Sequence, residues 1–196
     1  MTTAQRKVPT QMTLDEFRVW PGDGTDTKYQ LVDGELRAMA PASTTHGTIQ
    51  ANLSRFIANH LDVPGNRCRV VTEPGIDVRV VANMNYRIPD LGVSCVPDGA
   101  GEHELPDPIL LIELMSPSNK PDTMANIWAY TTIPTVRELL IVQTTRIEAD
   151  VLRRQADGSW PPQAERIGPD DVLELASIDL KRPLRDFYAK TYLNTD

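Results

Sequence analysis

Two acids stand where acids are costly. Glu113 lies inside "PILLIELM" (108–115), a run that otherwise reads as a buried strand, and Asp90 opens "DLGVSCV" (90–96) directly after Pro89. An ionised carboxylate in a core is strongly unfavourable unless something positive holds it. If the two strands are neighbours, both carboxylates reach the same edge of the sheet, where a Mg²⁺ ion would join them. Magnesium takes oxygen ligands, commonly one or two carboxylates completed by water and phosphate oxygens. Held there, it lowers the pKa of a bound water and neutralises charge developing on a phosphodiester. The plainer alternatives are a Glu113 carboxylate paired with Arg87 or Arg137, and an Asp90 that serves only as a turn residue after proline.

The elements that must position these acids are readable from periodicity and punctuation. Thr13 stands three residues before Glu16, a capping-box pattern that opens a short helix over "TLDEFRVW", and "PGDG" (21–24) ends it. "KYQLV" and "ELRAMA" flank Asp33-Gly34, the two-residue turn of an antiparallel hairpin. Ile49, Leu53, Phe56, Ile57, Ala58 and Leu61 recur at three- and four-residue steps, so 44–62 is an amphipathic helix capped near Ser43 or Thr44. "GIDVRVV" (75–81) alternates Ile76, Val78 and Val80 inward as a half-buried strand. The runs at 90–96 and 108–115 read as more fully buried neighbours. "SPS" (116–118) caps a helix over 122–131, and "ELLIVQ" (138–143) is the next strand. Beyond it, "IEADVLRRQ", an Asp157-Gly158 hairpin and a strand near 160–167 lead to a closing helix with Pro183 in its first turn. The order is mixed α and β, without repeats.

"YQLVDGELRAM", "HGTIQANL", "YRIPDLGV", "IELMSPSNKPD" and "WAYTTIPTVRELLIV", in that order, resemble the Uma-type restriction endonuclease family of bacteria, within the PD-(D/E)xK nuclease superfamily. The resemblance implies an α/β (α+β) fold, a restriction-endonuclease-like mixed sheet flanked by helices, over one domain (12–193) behind an N-terminal extension (1–11). It places Asp90 and Glu113 on the family's metal-binding acids, with Mg²⁺ or Mn²⁺ as cofactor and DNA as substrate. The superfamily pattern would put lysine two positions after the glutamate, where Met115 stands, and the family often supplies it from the following helix, where Asn126 stands. Lys120 is the lysine in the loop after the glutamate strand and takes the third catalytic place if that loop folds back. Relatives commonly carry glutamate where this chain has Gln30, with Glu35 close by, and the same arrangement brings His46 toward the site. Gln30, Glu35 and His46 are accordingly secondary ligand or supporting candidates.

The composition narrows the remaining choices. A formal charge of −7 over 196 residues argues against a generic nucleic-acid coat, because phosphate binding is driven largely by Lys and Arg. It is compatible with a nuclease, whose metal-binding carboxylates are themselves acidic. No apolar stretch approaches the roughly 20 residues of a membrane span, and "MTTAQRKVPTQM" lacks the apolar core of a secretory signal, so the expectation is a cytoplasmic protein. Cys68 and Cys95 form no CxxC pair, and His60 and His103 lack partners at zinc-ligand spacing. The cysteines therefore read as buried thiols rather than a disulfide. A glycosidase-type carboxylate pair would need an aromatic-lined cleft that three tryptophans and five tyrosines do not suggest. Two function classes remain: a Mg²⁺-dependent DNA endonuclease, for which a homodimer would be natural, and a catalytically impaired module of the same fold that binds nucleic acid or a protein.

Overall fold

The computed structural model describes residues 8–195, so the first seven residues of the expected N-terminal extension lie outside it. Thr13 caps α1 (Leu14–Val19): its hydroxyl accepts from the Glu16 N–H, and the Glu16 carboxylate accepts from the Thr13 N–H at 2.7 Å. Replacing Thr13 by alanine removes that cap and is expected to cost about 1 kcal/mol, read as a lower urea midpoint at unchanged slope. Strands β1 (Tyr29–Val32) and β2 (Glu35–Ala38) form the expected hairpin. Both turn residues, Asp33 and Gly34, have positive φ (51° and 84°), the backbone that a two-residue turn of matching twist requires. Ser43 caps α2 (Thr44–Leu61), which buries Ile49, Leu53, Ile57 and Leu61 on one face. Ala58 falls on its exposed side.

Four short strands follow: β3 (Arg69–Thr72), β4 (Ile76–Asp77), β5 (Tyr86–Arg87) and β6 (Leu91–Ser94). The long strand β7 (Pro108–Met115) then crosses through α3 (Lys120–Tyr130) to β8 (Glu138–Gln143), which lies parallel to it. Strands β9 (Ala149–Arg153), β10 (Glu165–Ile167), β11 (Val172–Leu175) and β12 (Leu180–Pro183) and helix α4 (Leu184–Phe187) complete the described chain. The main sheet runs β10-β9-β8-β7-β6-β3, with β7 at an interior position and the β7–β8 pair its parallel step. A second sheet, β2-β1-β5-β4, stands beside it, and β11-β12 make a separate hairpin.

Burial on both faces explains the unbroken apolar run of β7. Leu110, Ile112 and Leu114 face a core shared with α2 and α4, while Leu111 and Met115 face a second core with Ile127 and Tyr130 of α3. Alternation puts Glu113 on the α3 face, among apolar neighbours and 5% exposed.

Several expectations need correction. Val80 is 49% exposed, because β4 ends at Asp77 and the chain leaves the sheet after Val78. The strand expected near 160–167 shrinks to Glu165–Ile167, and the closing helix to four residues. The 116–118 segment does not cap α3: Asn119 occupies that position without a side-chain cap, and its Oδ1 instead accepts from the Ser116 N–H at 2.7 Å. Cys68 and Cys95 are not thiols but a disulfide pair. The antiparallel β3–β6 register, in which Arg69 faces Ser94, brings the two cysteines opposite one another at the end of the ladder. No spacing motif announces a cross-strand pair 27 residues apart.

Candidate functional site

Asp90 lies one residue before the first β6–β7 ladder pair, Leu91 with Ile112, and this register sets its carboxylate against the Glu113 end of β7. Asp90 Oδ2 accepts from the Leu114 N–H at 2.6 Å, and His46 Nε2 lies 2.7 Å from Oδ1, where a ring N–H donates to the carboxylate. His46 is in the first turn of α2, so the cap at Ser43 that starts the helix also aims the imidazole. Gln50, one turn later, donates to the Asp90 carbonyl at 3.0 Å. Gln30 on β1 accepts from the Ile88 N–H at 3.3 Å and so steadies the strand leading to Asp90.

Glu113 is held from the helix side. Its Oε1 accepts from Asn126 Nδ2 at 3.0 Å and from the Tyr130 hydroxyl at 2.9 Å. Asn126 and Tyr130 are four residues apart on α3, hence on one face, and both are buried. Asn126 Oδ1 in turn accepts from Arg87 Nη1 at 3.2 Å, so an amide stands between the glutamate and the guanidinium. Neither Arg87 nor Arg137 forms an ion pair with Glu113 among the described residues, and the plain salt-bridge reading of this acid does not hold.

These groups open onto a cleft of about 850 Å³ whose lining includes Gln30, His46, Arg87, Asp90, Glu113 and Asn126. The β1–β2 hairpin forms one wall and the start of α3 another, tied together by Arg37 and Asp122 at 3.2 Å. The structure therefore unites Asp90, Glu113, His46 and Gln30. It does not bring Lys120 or Glu35 to them: both are exposed and neither lines the cleft. A larger hollow of about 1100 Å³, bordered by α1, β4 and the 102–108 segment, contains neither acid, and its Arg18 is occupied by Asp15, Asp77 and Glu104. The smaller cleft is the one that holds both acids.

Burial raises the Glu113 pKa to about 8, and the nearby Asp90 charge adds to the rise. The hydrogen bonds from Tyr130 and Asn126 and the more distant Arg87 charge oppose it. An ordinary glutamate titrates near 4.5, so the folded chain retains a proton that the unfolded chain has released. The stability linked to Glu113 is present below pH 4.5 and declines as pH rises toward 8. A cation bound at Glu113 would have to expel that proton, so any divalent-ion affinity at this acid is expected to rise about tenfold per pH unit below pH 8. Calorimetric titrations with Mn²⁺ across pH 6 to 8 check this, and a flat profile would contradict it.

The donor set suits a hard, partly hydrated ion. Two carboxylates repel across adjacent strands, which a divalent cation would relieve, and Glu113 Oε2 carries no hydrogen bond among the described residues. No group of three or more His, Cys, Asp or Glu side chains is arranged to hold a metal ion by itself among the described residues. An ion here would therefore keep several waters or substrate oxygens, as Mg²⁺ commonly does.

The same fold occurs in a solved structure. A crystal structure described as a putative nuclease belonging to DUF820, from Anabaena variabilis, superimposes with a TM-score of 0.74, covering 91% of this chain and 98% of that one at 19% identity. Residues 14–184 match the Uma2 family, described as "Putative restriction endonuclease", and the chain belongs to that family. It is also 30% identical over 172 residues to slr1290, an uncharacterized protein of Synechocystis sp., with 87% of each chain covered.

Sequence reading missed Tyr130 as a partner of Glu113. The signal available was a polar stripe, Thr123, Asn126 and Tyr130, at helical spacing on a face that also carries Ile127. Asn126 drew notice only as a missing lysine.

Proposed function

We propose that this chain hydrolyses DNA phosphodiester bonds with a divalent cation, Mg²⁺ or Mn²⁺, held between Asp90 and Glu113. The observation that supports this most is the convergence of two carboxylates, one just ahead of β6 and one on β7 and nearly sealed, on a single cleft. The bound ion would polarise a water and offset charge on the phosphate. His46 and the Leu114 N–H fix the Asp90 carboxylate, leaving it little freedom to rotate away. Asn126 and Tyr130 fix Glu113 in the same manner, and the surrounding apolar residues of β7 and α3 limit water to the cleft side. Hydrolysis adds the water oxygen to phosphorus, breaks one bridging P–O bond and returns a proton to the departing sugar oxygen. Lys120 joins this site only by a movement of the turn that precedes α3, since it is exposed at the helix start. For a duplex substrate, two such clefts in a homodimer would cut both strands.

Incubating purified protein with linear and supercoiled DNA in Mg²⁺ or Mn²⁺ tests the reading. Cleavage by wild type that EDTA, Asp90→Asn and Glu113→Gln each abolish is the expected result. Cleavage unaffected by both substitutions would remove the acid pair from the reaction.

One observation favours a second reading, a module that binds nucleic acid without cutting it. Asn126 occupies the place where the resemblance expects a lysine, and its amide is consumed between Glu113 and Arg87. Metal and DNA binding without turnover of any DNA tested is the outcome that selects this reading.

A further inference from the structure

We propose that Arg87 is the anion seat of the cleft, the side chain that receives a phosphodiester oxygen of the substrate. The inference rests on reading the cleft as a phosphodiester site and adds the residue that recognises the substrate's charge.

Three cationic side chains of lysine or arginine line the cleft. Lys28 is paired with Glu73 and Arg37 with Asp122, and both lie toward solvent. Arg87 is 5% exposed and has no carboxylate within ion-pair distance among the described residues. Its Nη1 and Nη2 donate to the side-chain oxygens of Asn126 and Asn85, at 3.2 and 3.0 Å, and Nε is sealed without a partner. Guanidinium carries five N–H donors and no acceptor, so two neutral amide contacts leave both donors and charge unused.

A buried cation without a counter-charge is costly, and an anion relieves the cost. Asp90 and Glu113, when ionised, cancel the two charges of a divalent ion. Lys28 and Arg37 are already paired and Asp26 of the lining is exposed to solvent, so the buried charge left uncompensated is that of Arg87, which one phosphodiester neutralises. Arginine also suits this ligand by shape, because its planar fork can present two parallel N–H groups to a phosphate. The guanidinium is pre-aimed: Asn85 is fully buried and tied to the β1–β2 turn through reciprocal hydrogen bonds with Asp33 at 3.0 and 3.1 Å. A lysine on α3 would bring its own charge to Glu113; here the amide of Asn126 passes a hydrogen bond along, and the charge stays with Arg87.

The test is fluorescence anisotropy of a labelled DNA oligonucleotide in Ca²⁺ over a series of salt concentrations, with wild type, Arg87→Gln and Arg87→Lys. Glutamine can still hydrogen-bond the two asparagines while removing the charge, and lysine keeps the charge while losing the fork. Arg87→Gln is expected to weaken binding at least about tenfold and to lower the slope of log affinity against log salt by about 1, the signature of one lost phosphate contact. Arg87→Lys should retain the wild-type slope and lose part of the affinity with Mn²⁺ binding unchanged, and undiminished DNA affinity in a folded Arg87→Lys overturns the proposal if the glutamine variant does not fold. An unchanged slope in Arg87→Gln, or a reduced one in a folded Arg87→Lys, overturns the proposal. Mn²⁺ binding by calorimetry separates it from the underlying reading. Wild type that binds Mn²⁺ but no oligonucleotide overturns the anion seat alone, and wild type that binds neither overturns both.

Discussion

Asp90→Asn and Glu113→Gln are each expected to reduce metal-dependent DNA cleavage further than any substitution of the residues that support them. Loss of a partner that orients a metal-binding side chain typically lowers affinity or activity about 10- to 100-fold. Tyr130→Phe, which deletes one hydrogen bond to Glu113 Oε1, and His46→Ala, which frees Asp90 Oδ1, belong in that range. The two acids lie beyond it, because removing either halves the negative charge available to a divalent ion. Both amide variants keep the shape of the acid they replace, so the fold should survive. Glu113→Gln should also flatten the decline of stability between pH 4.5 and 8, since glutamine holds no proton there. Cleavage rates for the four variants in one Mn²⁺ buffer, with denaturation curves at both ends of that pH range, check the order. Rates for Glu113→Gln above those for Tyr130→Phe would contradict it.

The largest effect on stability is expected far from the cleft, at Glu138. This residue begins β8, is 1% exposed and accepts four hydrogen bonds. Oε1 takes Arg153 Nε at 2.9 Å and the Ala176 N–H at 3.2 Å; Oε2 takes the Ser177 N–H at 3.0 Å and its hydroxyl at 2.8 Å. One carboxylate therefore pins the β11–β12 hairpin to the main sheet. Glu138→Ala strands three donors and a guanidinium. Removing one partner of a buried pair costs about 3–5 kcal/mol, with the low end favoured because Arg153 remains 32% exposed and partly hydrated. The measurement is the urea midpoint at constant slope. A loss below about 1 kcal/mol would mean that the hairpin does not depend on this carboxylate.

Elements whose periodicity differs from their neighbours' are the ones legible in the sequence. The α2 stripe at Ile49, Leu53 and Ile57, the Asp33-Gly34 turn and the uninterrupted apolar β7 each announce one local solution. The acids were legible because they are wrong for their surroundings: a charge inside β7 asks for a counterpart, and Asp90 at the head of β6 supplies the other half of a pair. What remained hidden depends on contacts between distant segments. The β11–β12 hairpin is set by packing rather than by a turn signal, since Ser177 and Ala176 are held by Glu138 nearly forty residues earlier. The disulfide follows from the β3–β6 register, which no local pattern encodes. Arg87 reads on paper as a salt-bridge partner for Glu113, and only the placement of α3 shows Asn126 between them.

The most direct test of the central claim is isothermal titration calorimetry with Mn²⁺ at pH 8 on wild type and Glu113→Gln. Saturable binding by wild type that is lost in Glu113→Gln is the predicted result and places the ion on the β6–β7 acid pair. Equal binding by the two proteins would contradict the account, because Glu113 would then be a buried acid that holds only its own proton.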